Sequence, residues 1–349
     1  MKTTYLPGDV TLLLTDITGK VEPMENADRE RMIQSGVHYS EMIPREHLPS
    51  HEYLAAFYDA LERYALPTAR AVEEVSRKIY ADRGADTVLV SLARAGTPIG
   101  ILIKHCIERE YGVSVPHYSI SIIRGRGIDK NAMNYLLERY SPERIQFVDG
   151  WTGKGAIKRQ LVEAMRDYPN VDPGLAVLSD PAYAAGKCGT HDDFLIPSSC
   201  LNSTVSGLIS RTFYRSDIIG SDQFHGALYY KEFEDFDLSY HFIEKIERYF
   251  GAGYTFEEKL PGRISPLEEI REIADKFGVD DINFVKPGIG EATRVLLRRI
   301  PDMILVHSLD DKERLGHIYR LAEEKQVPVE VYPLRYYRCC GMIKKLADA

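Results

Sequence analysis

With 349 residues, 44% of them hydrophobic, the chain is long enough for one large domain and a smaller one. Charged residues make up 28% and no apolar run approaches ~18 residues, which excludes a transmembrane helix, and Met1 to Asp9 lacks a signal-type apolar core. A net charge of −8 excludes a globally basic nucleic-acid binder, and five scattered cysteines without CxxC spacing indicate neither a disulfide framework nor structural zinc. A cytoplasmic protein with no membrane contact and no metal held by protein ligands alone is expected.

In chain order, residues 10–14 form an apolar strand, and the polar segment 35–44 is expected as a surface loop or lid. Leu54, Phe57, Tyr58 and Leu61 recur at helical spacing, and Pro67 is expected to start a second helix running to about Ala81. Residues 87–92 are an unbroken, β-branched apolar run, the pattern of a strand buried on both faces. A helix over 99–111, a strand over 118–123, a helix over 129–140 and strands at Ile145–Val148 and 175–178 follow. This alternation predicts a doubly wound α/β sheet with its ligand at the strand carboxyl ends. Residues 183–230, rich in Gly, Ser, Thr, Tyr and Asp, are expected as a hood over that face. The segment 254–263 reads as a linker. Ser265-Pro266-Leu267-Glu268 then spells a helix start with a capping box, opening a second α/β unit with strands at 303–306 and Val329–Val331.

Two turns follow buried strands: Ala93-Arg94-Ala95-Gly96 and Asp149-Gly150-Trp151-Thr152-Gly153-Lys154-Gly155. The second leads into a helix carrying Ile157, Leu161, Val162 and Met165, so its backbone N–H groups are available to an anion. A nucleoside-triphosphatase loop is excluded, because Gly150 to Lys154 is two residues short and Gly155 stands where Ser or Thr is needed. Neither turn reads GxGxxG, so a dinucleotide fingerprint fails as well.

The pair of turns resembles that of type I phosphoribosyltransferases. More closely, the segments 90–100, 117–129, 147–155 and Tyr39-Ser40-Glu41-Met42 resemble the bacterial StiP family. Its members are often labelled cysteine proteases, are also read as phosphoribosyltransferases, and are associated with tellurite-resistance and stress-response gene clusters. The resemblance implies that Thr152, Gly153, Lys154 and Gly155 cradle the 5′-phosphate of phosphoribosyl pyrophosphate. Asp149 would hold the ribose hydroxyls, and Ala93, Arg94, Ala95 and Gly96 the pyrophosphate, with Mg²⁺ as its companion ion. Arg124 and Arg126, between glycines after a strand, are candidates for a loop closing over the pyrophosphate, and Asp129 for the next helix cap. Gly150 departs from the pattern of many type I phosphoribosyltransferases, which have a second acid there.

In the C-terminal unit, Lys286-Pro287-Gly288-Ile289-Gly290-Glu291 before an amphipathic helix resembles the RNA-contacting turn of Pelota-type domains, with Gly290 where asparagine is usual. From Lys286 onward there are 12 Lys and Arg against 9 Asp and Glu, a local basic excess compatible with RNA phosphates. Docking or homodimerisation is the alternative role for this unit. Residues 336–342 have the texture of a functional tail.

The expected architecture is therefore a type I phosphoribosyltransferase-like α/β domain over residues 1–260 with a hood, and a Pelota-like RNA-binding domain over 265–349. The expected function is transfer of ribose 5-phosphate to a base-like acceptor. The competing readings are an RNA-linked regulator that binds phosphoribosyl pyrophosphate or a nucleotide without turnover, and a thiol protease using Cys188 with His191 or Asp192, or using Cys200.

Overall fold

The expected strands, joined by one more at the edge, build a six-stranded, wholly parallel sheet. The structure is a computed structural model that describes residues 1–257 and 264–344. The sheet comprises β1 (Thr11–Leu12), β2 (Val88–Leu92), β3 (His117–Ile120), β4 (Ile145–Val148), β5 (Leu175–Ser179) and β6 (Lys187–Thr190). Its spatial order is β1-β3-β2-β4-β5-β6. From β2 the chain crosses to β3 on one side and then to β4 on the other. The order therefore reverses between β2 and β4, which are in register at Val88–Ile145 and Ser91–Val148. In open α/β sheets the crevice beyond this reversal is where ligands bind.

Several helices cover the sheet. Residues His51–Arg83 form one 33-residue helix, α1, and not the two expected on either side of Pro67. A helix-interior proline costs ~3 kcal/mol, but Ala65, Ala69, Ala71, Val72 and Val75 around it are all fully buried, and that packing outweighs the missing bond. Helix α2 (Gly96–Tyr111) follows β2, α3 (Lys130–Leu137) precedes β4, and α4 (Ala156–Ala164) follows the Asp149 turn. Asp129 does cap α3, its carboxylate accepting from the Ala132 N–H at 3.1 Å. The strand expected over 118–123 is broken, and Ile122–Ile123 pairs instead with Gly127–Ile128 in a hairpin. The hood also begins later than residue 183, because Lys187–Thr190 is the sheet's edge strand.

The C-terminal unit has a mixed four-stranded sheet of β7 (Val285–Pro287), β8 (Pro301–Val306), β9 (Val329–Val331) and β10 (Cys339–Ile343), in the order β7-β10-β8-β9. Helices α5 (Pro266–Lys276), α6 (Ile289–Arg298) and α7 (Lys312–Glu324) accompany it. The Ser265 capping box is formed with both reciprocal bonds. The residues expected as a functional tail are interior: β10 pairs on both sides, and Tyr337, Cys339 and Cys340 are fully buried. The expected linker falls in part on residues 258–263, outside the described residues.

The two units share an apolar core. Phe57, Leu61 and Val72 of α1 belong to the same buried cluster as Ile289, Leu296, Ile304, Leu315 and Ile318. Among the described residues, no helix is long and apolar enough to cross a membrane.

Candidate functional site

The carboxyl ends of β2 and β4 place the two turns side by side. Gly96, the first residue of α2, lies so close to β4 that a Cβ there would come within 2.7 Å of the Val148 carbonyl and 3.1 Å of Asp149 Cα. Only glycine allows this approach. The Ala93–Arg94 peptide in the turn after β2 is cis.

A cleft of about 220 Å³ opens over this junction. Of the residues singled out in the sequence, Ala95, Arg124, Asp149, Thr152, Gly153, Lys154 and Gly155 line it. Asp149 sits at the tip of β4 with Oδ1 accepting from the Gly150 N–H at 2.8 Å. Burial pushes its carboxyl up to about 6, against the opposing pull of that N–H and of Arg294. Such a group titrates where a ligand can set its state.

The turn after Asp149 is held from behind. The Thr152 N–H donates to the Ser179 carbonyl at 3.0 Å, and the Thr152 hydroxyl donates to Asp180, whose carboxylate also accepts from the N–H groups of Ala184 and Ala185. The hydroxyl of Thr152 is thereby committed to the fold. By contrast, among the described residues no acceptor takes the N–H groups of Gly153, Lys154, Gly155 or Ala156. Gly155 has φ +69°, which turns the chain into α4, and the four residues that carry these donors line the cleft.

The Lys154 side chain does not join them. Its ammonium donates to the carbonyls of Ile282 (2.6 Å) and Val285 (3.1 Å) in the C-terminal unit, and burial beside Lys286 pulls its pKa down to about 8. The same unit donates the Tyr337 hydroxyl to the Gly153 carbonyl at 2.8 Å.

Arg94 lines a smaller adjoining cavity of about 50 Å³ with Ala95, Ser198, Asn202 and Ser206, between the β2 turn and the hood. Its guanidinium is paired with buried Glu46 at 2.5 Å and donates to the Ile209 carbonyl at 2.7 Å. Arg126 is not brought to the cleft. It pairs with Glu41 and donates to the Tyr214 carbonyl at 3.0 Å, so it fixes the 38–41 segment to the hairpin. Ala93 follows β2 directly, its N–H donating to the Ile120 carbonyl at 2.8 Å.

Trp151 lines the cleft as well, and among the lining residues not foreseen as site residues are Lys286, Glu291 and Arg294 of the C-terminal unit. Arg294 lies over the Trp151 ring at 4.5 Å and separates the two cavities, both of which it lines. The turn expected to meet RNA is turned inward: Gly288, Ile289 and Gly290 are buried, and buried Asp193 accepts from the N–H groups of Ile289 (3.0 Å) and Arg338 (2.9 Å). Motif reading singled out this segment but had no means of seeing that its partner is the cleft.

Residues 3–247 match the family model described as "Tellurite-like stress resistance cysteine protease StiP". The chain belongs to the StiP family. A relative from Acinetobacter baylyi described as "Cysteine protease StiP" is 35% identical over 365 residues, covering 98% of this chain and 94% of that one. Residues 264–345 match the model described as "PELOTA RNA binding domain". Among solved structures, a hypoxanthine-guanine phosphoribosyltransferase from Bacillus anthracis overlaps 35% of this chain and 70% of its own at 13% identity and a TM-score of 0.25. A xanthine-guanine-hypoxanthine phosphoribosyltransferase from Helicobacter pylori overlaps 38% and 77% at 16% identity and a TM-score of 0.25.

The protease in the StiP description calls for a reactive thiol. All five cysteines are buried, and burial pushes the Cys106, Cys200 and Cys340 thiols up to about 12, a range in which the nucleophilic thiolate is scarce. Cys188 alone of the expected pairs meets a histidine, its sulfur 3.6 Å from His191 Nε2. His191 Nδ1 donates to the Asp180 carbonyl at 2.8 Å, which leaves Nε2 as the acceptor nearest the thiol. Asp180, Cys188 and His191 also group at a spacing that suits a metal, although neither Cys188 nor His191 lines the cleft.

Proposed function

We propose that this StiP-family chain is a phosphoribosyltransferase that joins ribose 5-phosphate from phosphoribosyl pyrophosphate to a base-like acceptor. The observation that carries this reading is the pairing of two anion-type turns at the sheet's reversal point, with the Asp149 carboxylate between them. The N–H groups of Gly153, Lys154, Gly155 and Ala156 bind the 5′-phosphate at the start of α4. Asp149 accepts from the ribose hydroxyls, and the backbone of residues 93–96 binds the pyrophosphate. The smaller cavity, with Ser198, Asn202 and Ser206 beside apolar Leu201 and Val205, suits a planar polar acceptor. A nitrogen of that acceptor bonds to C1 of the ribose as the C1–oxygen bond breaks and pyrophosphate leaves with the electron pair. The residues contribute mainly by position and charge.

The donor set fits Mg²⁺, a hard cation that accepts one or two carboxylates and takes its remaining oxygens from water and phosphate. Asp149 is the carboxylate that would hold it, and an ion bound there would supply positive charge against the departing pyrophosphate.

Labelled phosphoribosyl pyrophosphate is expected to bind in a Mg²⁺-dependent manner, and Asp149→Ala to abolish it. Undiminished binding in that variant sinks the assignment. Gly150, where a second acid is usual, supports a ligand-binding regulator as the alternative, which would bind without releasing pyrophosphate with any acceptor. The Cys188–His191 pair supports proteolysis as a further reading. There, Cys188→Ala would remove all activity, whereas for a transferase it leaves pyrophosphate release in place.

A further inference from the structure

We infer that Lys286 of the C-terminal unit is the cation that binds the ligand's phosphate, and that Glu291 holds its place in the free protein. The inference rests on the reading of the cleft as a sugar-phosphate site. A phosphate turn that contains a lysine ordinarily supplies its own charge, but the Lys154 ammonium is bound to the Ile282 and Val285 carbonyls and points into the C-terminal unit. Lys286, one residue beyond Val285, lines the cleft with the Gly153–Ala156 donors. Among the described residues its ammonium has no hydrogen bond or ion pair.

Burial lowers the Lys286 pKa, Arg299 and Arg124 add to that, and Glu291 opposes it. A half-buried cation among cations is stabilised by an anion placed between them. Glu291 is the anion at hand. Its Cγ lies 3.7 Å from where a Cβ on Gly153 would sit, directly over the phosphate turn, and its carboxylate is 3.4 Å from the Arg294 guanidinium. A phosphate monoester carries up to two negative charges and three acceptor oxygens. It can take the four backbone donors and Lys286 together, which a single carboxylate cannot. The phosphate then displaces the Glu291 carboxylate, and the C-terminal unit becomes part of the substrate site.

The test is a titration of the full-length protein with ribose 5-phosphate, pyrophosphate, inorganic phosphate and uncharged ribose, without Mg²⁺. Trp151, the only tryptophan, lines the cleft and reports by fluorescence. Lys286→Gln is expected to weaken ribose 5-phosphate about tenfold to a hundredfold, the range of a lost charge-assisted bond. It should leave ribose unchanged, and Lys286→Arg should restore most of the loss. Glu291→Gln is expected to tighten phosphate-bearing ligands severalfold. Equal binding by wild type and Lys286→Gln, both folded by thermal melt, overturns the inference while the transferase reading stands. Lys286-dependent binding of phosphate or pyrophosphate without ribose 5-phosphate binding refutes the ribosyl reading and keeps Lys286. No response of the wild type to any anion overturns the inference, and the transferase reading then rests on the Mg²⁺-dependent binding of phosphoribosyl pyrophosphate.

Discussion

The substitution Gly96→Ala tests the junction of the two turns, because one methyl group would be set against the strand that carries Asp149. The added carbon would meet the Val148 carbonyl oxygen at 2.7 Å, Asp149 Cα at 3.1 Å and Asp149 Oδ1 at 3.4 Å. The first of these is about 0.7 Å inside ordinary van der Waals contact. The obstructing atoms are backbone, and the Asp149 N–H is fixed to the Ala176 carbonyl at 3.0 Å, so no side chain can swing aside. Overpacking of this kind costs ~1–3 kcal/mol, and the relief it forces moves Asp149 or the start of α2. Misplacing a charged acceptor costs a further ~1.5–3 kcal/mol of binding, roughly tenfold to a hundredfold in affinity. Urea unfolding and a Trp151 fluorescence titration with ribose 5-phosphate measure the two losses separately. Gly8→Ala, where the new carbon meets nothing within 4 Å, is the control and should change stability by less than ~0.5 kcal/mol. Gly96→Ala matching that control in both assays would refute the close approach as the reason for glycine.

Asp193 should make stability fall as pH rises. Burial lifts its carboxyl to about 6, so between about pH 4 and 6 the folded chain holds a proton that the unfolded chain has released. Up to about 3 kcal/mol should be lost across that window, and Asp193→Asn should flatten the profile measured by urea unfolding. The elevated Asp149 pKa predicts that ribose 5-phosphate affinity gains an extra dependence as pH rises through about 6, present in wild type and missing in Asp149→Asn by calorimetry. Tyr337→Phe removes the donor to the Gly153 carbonyl and should cost ~1 kcal/mol of stability. It should also loosen the turn after Asp149, seen as faster exchange of the Thr152 amide, which donates to the Ser179 carbonyl at 3.0 Å.

The sheet was legible wherever burial on both faces left an uninterrupted apolar run, as in Val88–Leu92 and Ile145–Val148. The capping box at Ser265 was legible because its signal lies within four residues. Lys187–Thr190 was not, because Lys-Cys-Gly-Thr carries no apolar period, and Gly189 is there to pack against Ala71 of α1, 2.4 Å from its carbonyl if a Cβ were added. Pro67 misled for the opposite reason: a strong local signal was overridden by packing. At the site, Asp149 and the Gly153–Gly155 turn could be found from a strand followed by glycines. Lys286, Glu291 and Arg294 could not, because what brings them to the cleft is the docking of a segment more than a hundred residues away, and no local pattern encodes it.

The apolar cluster that runs from α1 into α6 and α7 ties the fates of the two family segments together. Residues 3–247 and 264–345 match separate families, yet Ile289, Leu296, Leu315 and Ile318 complete the same interior as Phe57 and Leu61. A ribosome that has released only the first segment therefore carries a greasy face with nothing to cover it, the kind of surface that recruits chaperones or aggregates. Once docking has occurred, the chain should melt as one cooperative unit, with a single calorimetric peak.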